Sequence, residues 1–275
     1  MQLTNQSAIL IETAIIRSEF LEREVQVDLY LPKNISDPDQ VNLLLINDGQ
    51  AMKELGLKKI LSDLQNEIEP VVCVAIHASE QRKMEYGVAI QADYLGRGAK
   101  AGLYTSFVIQ ELMLFVSQQF RQFNFKTKAF AGFSLGGLMA LDIVWNYPEL
   151  FDAAGIFSGS LWWRNLDDKH EKYSDEINRI MHQQIRNSSY HPGQKFFFTT
   201  GSLDEVNDRN ENGIIDSIDD TTSLINDLES LGYKKDSDIK YINYPDGKHD
   251  ILTWSRAMPG FLSWAFPSDR PGLTV

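Results

Sequence analysis

The stretch that most constrains this chain is Thr127-Lys128-Ala129-Phe130-Ala131-Gly132-Phe133-Ser134-Leu135-Gly136-Gly137-Leu138-Met139-Ala140. An apolar run meets a serine bracketed by glycines, and an apolar segment follows up to Pro148. That order predicts a strand, a sharp turn at Ser134 and a helix over 135–145. Gly132-Phe133-Ser134-Leu135-Gly136 fits G-x-S-x-G, in which a serine on a strained strand-to-helix turn has neighbours too small to clash. The helix start behind Ser134 aims N–H groups and a positive partial charge at any oxyanion formed there. Ser134 is the candidate nucleophile. A glycine-rich turn with an idle serine is the plainer alternative.

A chain of 275 residues, 43% hydrophobic and 23% charged, is ordinary for a globular protein and long enough for one large α/β domain. There is no Pro/Gly/Ser linker and no repeat, so one domain spanning 1–275 is expected, with an insertion around 160–193. The net charge of −12 argues against nucleic acid or an anionic membrane surface as partner. No apolar run approaches membrane-spanning length, and the first residues lack the basic start and apolar core of a signal peptide. A cytoplasmic location is the expectation; the sequence sets no oligomeric state. The single cysteine, Cys73, sits in an apolar run and reads as an inert buried thiol.

Taken in order, 8–16 and 25–31 read as a strand hairpin. Strands are expected at 41–46, 71–76, 153–157, 195–200 and 239–244, beside the one before Ser134. Helices are expected at 52–68, 103–120, 175–186, 221–231 and 252–266. Residues 77–102 form a long polar loop of the kind that carries function. Strands alternating with helices predict an α/β fold: one mainly parallel sheet with an N-terminal antiparallel hairpin and helices on both faces. In such sheets, functional groups gather beyond the carboxyl ends of the strands.

A serine hydroxyl needs a base. Of His77, His170, His182, His191 and His249, the last is best placed, in the glycine-containing loop after the final strand. His77 also ends a strand and is the second choice, as base or substrate contact. An orienting carboxylate between Ser134 and His249 is expected just past the strand ending near 200. Asp204 is preferred there and Glu205 is the alternative. The oxyanion would be held by backbone amides of Leu135 and, after Gly49, of Gln50. Trp162 and Trp163, beside a polar strand-end loop, are expected to wall a substrate pocket. Arg82, with Arg97 and Lys100, is placed to attract an anionic substrate.

These residues resemble the putative-esterase family of α/β-hydrolases, which includes the enterochelin esterases and is related to the feruloyl esterases and the mycolyltransferases. The resemblance rests on Asp28-Leu29-Tyr30-Leu31-Pro32 with Asn47-Asp48-Gly49-Gln50, and on Gly96-Arg97-Gly98-Ala99-Lys100-Ala101 with Tyr104 and Phe107. It rests further on Gly132 to Gly137, on Phe157-Ser158-Gly159-Ser160-Leu161-Trp162-Trp163, and on Gly247-Lys248-His249-Asp250 with Trp254. It covers nearly the whole chain. It implies an α/β-hydrolase fold, Ser134 as nucleophile, His249 as base and an acid near Asp204, although some enterochelin-esterase relatives work with a Ser–His pair. The implied substrates are small-molecule carboxylic esters, siderophore trilactones among them.

Residues 208–219 carry a second pattern. Oxygen-bearing Asp208, Asn210, Asn212, Asp216 and Asp219 stand at positions 1, 3, 5, 9 and 12, with Gly213 at position 6. With the Ile214 carbonyl, these are the ligands of an EF-hand-type calcium loop whose last acid is shortened. A solvated acidic turn is the alternative. The expected function is a serine esterase that needs no cofactor for its chemistry, with a possible structural calcium. Acyl transfer at the same site, or a non-catalytic binding protein on the same scaffold, are the other readings.

Overall fold

The computed structural model describes residues 8–33 and 35–268. Among them, eight strands form one sheet: β1 (Ile9–Ser18), β2 (Arg23–Pro32), β3 (Asn42–Asn47), β4 (Val71–Ile76), β5 (Lys128–Phe133), β6 (Ala153–Phe157), β7 (Lys195–Leu203) and β8 (Ile239–Lys248). Their order is β1-β2-β4-β3-β5-β6-β7-β8. β1 and β2 pair antiparallel with each other, and β2 antiparallel with β4. The remaining pairings, from β4 through β3 to β8, are parallel. The mixed α/β sheet with an N-terminal hairpin is therefore as the sequence predicts.

The central strands explain why the sheet needs two covering layers. β3 (NLLLIN) and β4 (VVCVAI) are buried at every position. An element apolar on both faces must be covered on both. Two separate clusters do this. One packs Val25, Leu43, Leu45, Val72 and Val74 against Phe107, Leu138 and Trp145; the other packs Leu44, Ile46, Cys73 and Ala75 against Met52, Leu61, Phe261 and Leu262.

Helix boundaries differ from the sequence reading where a backbone position overrides the apolar period. The segment expected as one helix over 52–68 is Met52–Leu55 and Leu57–Asp63, parted by Gly56 at φ 78°. That left-handed residue ends the first helix as a C-cap. The 175–186 helix is likewise split into Asp175–Asn178 and Ile180–Arg186 by Arg179, whose ψ of 108° is extended. The helix over 101–119 carries a π segment, Phe107–Leu112. The helix expected from 221 begins at Asp216.

All six parallel strands run the same way, so their carboxyl ends form one row. Sheet order places His77, Asp48, Ser134, Ser158, Asp204 and His249 along it, each just past its strand.

Candidate active site

Ser134 leaves β5 with φ 52° and ψ −121°, a strained conformation for any side chain. Backbone hydrogen bonds hold it there. Its N–H donates to the Phe157 carbonyl (2.9 Å), and its own carbonyl accepts from Gly137 (3.0 Å), Leu138 (3.2 Å) and Ser160 (3.1 Å). The glycines are sterically required. A Cβ on Gly132 would stand 2.2 Å from the Gly136 carbonyl oxygen, and one on Gly137 2.9 Å from the Gly132 carbonyl oxygen. On Gly136, a Cβ would meet Asp48 Oδ2 at 2.7 Å. The Ser134 hydroxyl is half-buried and lies 3.4 Å from the hydroxyl of Ser160, which is itself buried.

Two amides flank this turn. Leu135 opens the helix Leu135–Asn146, so its N–H has no intrahelical acceptor. Gln50 lies in the short turn Gly49–Ala51 after β3. Four contacts fix that turn. Asp48 sits in the left-handed region (φ 61°), and its carboxylate takes both arms of Arg82 (2.6 and 2.7 Å). Asn47 donates to the Gly136 carbonyl (2.8 Å) and accepts from the Tyr104 hydroxyl (2.6 Å). The Gln50 side chain accepts from the Ala78 N–H at 3.0 Å.

Register brings the candidate base and the candidate acid side by side. Leu203 of β7 is paired with Lys248 of β8, so Asp204 and His249 leave the sheet together. Gly201 and Gly247 make that approach possible, since a Cβ on Gly201 would lie 2.4 Å from the Gly247 backbone. Asp204 Oδ2 accepts from the Gly201 N–H at 2.9 Å and from the Ser217 hydroxyl at 3.4 Å. Its Oδ1 is buried with no hydrogen-bond partner among the described residues. A buried carboxylate oxygen left without a donor is costly, and a ring N–H from the neighbouring histidine would satisfy it. Burial lowers the His249 pKa, the negative charge of Asp204 opposes that, and the Arg82 charge adds to it. His249 is thus mostly neutral near pH 7, as a general base must be.

The aromatic partner of this loop was not singled out as a site residue from the sequence. Trp254, one turn after His249, stacks on Phe133 and hydrogen-bonds the Ser158 hydroxyl through Nε1 (3.1 Å). Ser160 and the Asn47–Tyr104 link were also missed. Each joins residues far apart in the chain, and no local spacing announces them.

Trp162 is half-buried on a cleft of about 530 Å³, with Tyr94, Arg97, Arg164 and Glu205 among its walls. The Arg97 guanidinium lies over its ring at 4.8 Å. Trp163 corrects the sequence expectation: it is fully buried, packed where Gly87 and Gly98 leave room, and so stands behind the wall rather than in it. Glu205 faces that cleft and bonds Asn207 (3.1 Å). Burial raises its pKa. Arg82 is engaged by Asp48 and remains partly exposed.

The 208–219 loop is closed by its own side chains. Asp219 Oδ2 accepts from the Asn210 and Asn212 amides (2.8 and 2.7 Å), and Asp208 accepts from the Asn212 and Gly213 N–H groups. Asp216 is drawn to Arg209, accepting its backbone N–H at 2.9 Å and facing its guanidinium at 3.3 Å. The side chains on which the calcium expectation rests are thus hydrogen-bonded to one another and to Arg209. Among the described residues, no group of three His, Cys, Asp or Glu converges on a metal position, and no helix is long and apolar enough to cross a membrane.

Comparison with known proteins agrees with this fold. Residues 18–265 match the family model described as "Putative esterase". A siderophore triacetylfusarinine C esterase of Aspergillus fumigatus is 32% identical over 85 residues, which is 30% of this chain and 29% of that protein. The uncharacterized protein YbbA of Bacillus subtilis is 23% identical over 50% of this chain and 57% of its own length. The matches therefore span under a third of one curated relative and just over half of the other. Among solved structures, the enterobactin esterase of Shigella flexneri superposes with a TM-score of 0.69 at 20% identity, covering 94% of this chain and 59% of that one. The siderophore hydrolase EstA of Aspergillus nidulans gives 0.70 at 17% identity, covering 96% of each. At these identities the structural likeness shows the fold.

Proposed function

Because the chain belongs to the putative-esterase family, we propose that it is a serine hydrolase of carboxylic esters, working through an acyl-enzyme on Ser134. The observation that carries this reading is the Leu203–Lys248 register, which sets a buried, partnerless Asp204 oxygen beside His249 in the same row of strand ends as Ser134.

In this mechanism His249 takes the Ser134 proton as the hydroxyl oxygen attacks the ester carbonyl. Asp204 accepts from the imidazole, fixing its tautomer and stabilising the imidazolium. The Leu135 and Gln50 amides receive the oxyanion, and they are prealigned by the elbow and by the Asp48–Arg82 and Asn47–Tyr104 contacts. His249 then protonates the leaving alcohol. Water repeats the sequence on the acyl-enzyme and releases the acid.

The cleft beside Trp162 is lined by Glu205, the residue after Asp204, and offers an aromatic face edged by Arg97 and Arg164. It suits the acyl portion of a small polar ester. The names of the fungal and Shigella relatives make siderophore esters the first class to try.

The test is hydrolysis of short-chain p-nitrophenyl esters and of siderophore esters by the wild type and by Ser134→Ala, with fluorophosphonate labelling. Turnover that disappears in Ser134→Ala, with labelling of the wild type alone, supports the reading. Equal rates, or no turnover and no labelling, would overturn it in favour of a binding protein. Ester formation exceeding hydrolysis with an added alcohol would instead identify an acyltransferase.

A further inference from the structure

The turn that carries the Gln50 amide is bounded by a hydrogen-bonded carboxylate pair on each side. The inner pair, Asp48–Arg82, faces the elbow. The outer one lies toward the sheet edge. His77 Nε2 is 2.7 Å from Asp28 Oδ2, and the other Asp28 oxygen accepts from the Thr13 hydroxyl (2.7 Å) and the Gln26 amide (3.4 Å). The ring nitrogen that could have served as a second base is thus committed to β2. Both side chains are largely buried, 21% and 17% exposed.

The carbon edge of the same ring meets the turn. A Cβ on Gly49 would stand 2.7 Å from His77 Cδ2 and 2.6 Å from the Ala75 carbonyl oxygen. Gly49 is the residue before Gln50, and glycine is the residue least able to hold its own backbone angles. An oxyanion donor must nevertheless sit within a few tenths of an ångström of its working position before the charge develops. What restrains this glycine is external: the imidazole and the end of β4 occupy the space where its side chain would be. The next bond in the chain of contacts, from Ala78 N–H to Gln50 Oε1 at 3.0 Å, ties Gln50 to the residue after His77.

We propose that His77, oriented by Asp28, is a positioning residue for the Gln50 amide, its ring being the wall against which the Gly49 turn closes. The inference rests on the ester-hydrolysis reading above. It separates two jobs within one side chain: the Nε2 end anchors the ring and the Cδ2 end supports the loop.

The experiment compares His77→Ala, His77→Phe and His77→Gln for kcat, KM, fluorophosphonate labelling rate and thermal midpoint. Removing the wall should lower kcat and labelling by about tenfold or more with KM within about threefold, short of the ~10²–10³ that follows loss of a donor itself. His77→Phe keeps a flat ring and should recover most of the rate. His77→Gln keeps an N–H for Asp28 but no ring, and should stay slow. A His77→Ala enzyme with wild-type kcat would overturn the proposal, as would a folded His77→Phe no faster than His77→Gln. If His77→Ala does not fold, the Phe and Gln variants decide. Ser134→Ala is assayed in parallel. Activity surviving it defeats the hydrolase reading, whereas activity lost there but untouched at His77 defeats only the positioning role.

Discussion

The Trp254 indole stacks on Phe133, ring centroids 5.0 Å apart and planes at 22°, and takes the edge of His249 on its other contact at 5.2 Å. Phe133 immediately precedes Ser134, the candidate nucleophile. One side chain therefore couples the position of the candidate base to that of the elbow, and its Nε1–H, bonded to Ser158, fixes its own rotation. Trp254→Ala should release His249 and lower kcat by roughly 10²-fold, the cost of about 1 Å of misplacement, with a smaller effect on KM. Trp254→Phe keeps a ring on Phe133 and should lose far less. Steady-state kinetics on one chromogenic ester checks both.

The acid limb of the pH profile should lie below the ordinary histidine pKa of 6.5, because burial and Arg82 both lower His249. His249 acts as a base only when neutral, so kcat/KM should rise with pH and reach half its plateau below 6.5. Asp204→Asn removes the charge that opposes the shift. Its limb should move still lower while the plateau drops by up to ~10⁴-fold, as when a triad carboxylate is replaced by amide. Glu205→Gln should leave plateau and limb close to wild type. A Glu205 variant as damaged as the Asp204 variant would reassign the acid.

Gly132→Ala should fail to give folded protein. Its Cβ would sit 2.2 Å from a backbone oxygen of the elbow itself, which has no flexible end to move aside. Gly137→Ala, at 2.9 Å from the Gly132 carbonyl oxygen, should fold with a lowered thermal midpoint and reduced activity. Soluble yield and circular dichroism of the two variants distinguish the cases.

What the sequence disclosed divides along a physical line. The elbow was legible because its constraint is largely local: Gly132 and Gly137 must be small for reasons contained in six residues, and only Gly136 answers to a distant side chain, Asp48. The placement of Ser134, Asp204 and His249 in one row was legible because each residue follows an apolar run, and parallel strands put such ends side by side. The Leu203–Lys248 register was not legible, since it depends on a bulge between Gly201 and Leu203. Trp163 was placed in the pocket because two adjacent tryptophans carry no label of depth. What buries it is the space above Gly87 and Gly98, on a different loop. The calcium pattern in 208–219 counted oxygens by spacing, and spacing does not disclose the contacts those side chains make with Arg209 and with one another. Calorimetric titration with calcium at millimolar concentration should accordingly show no binding heat.

The last prediction concerns a carboxylate outside the proposed chemistry. Asp142, on the elbow helix Leu135–Asn146, is fully buried. It accepts from Ala89 N–H (2.9 Å) in the 77–100 segment, from Gln184 Nε2 (3.0 Å) and from Asn146 Nδ2 (3.0 Å). Among the described residues no cation is bonded to it, and burial raises its pKa to about 6, partly offset by those three donors. The folded state therefore keeps the proton over a range where the unfolded chain, at the model-peptide value of 3.8, has lost it. Stability from this group is fully present below pH 3.8 and declines as pH rises to about 6. A shift of that size corresponds to roughly 3 kcal/mol. Asp142→Asn removes the titration while keeping one acceptor. Urea unfolding from pH 4 to pH 7 should show wild-type stability falling relative to Asp142→Asn across that window. A constant difference between the two would mean that Asp142 titrates alike in the folded and unfolded chains.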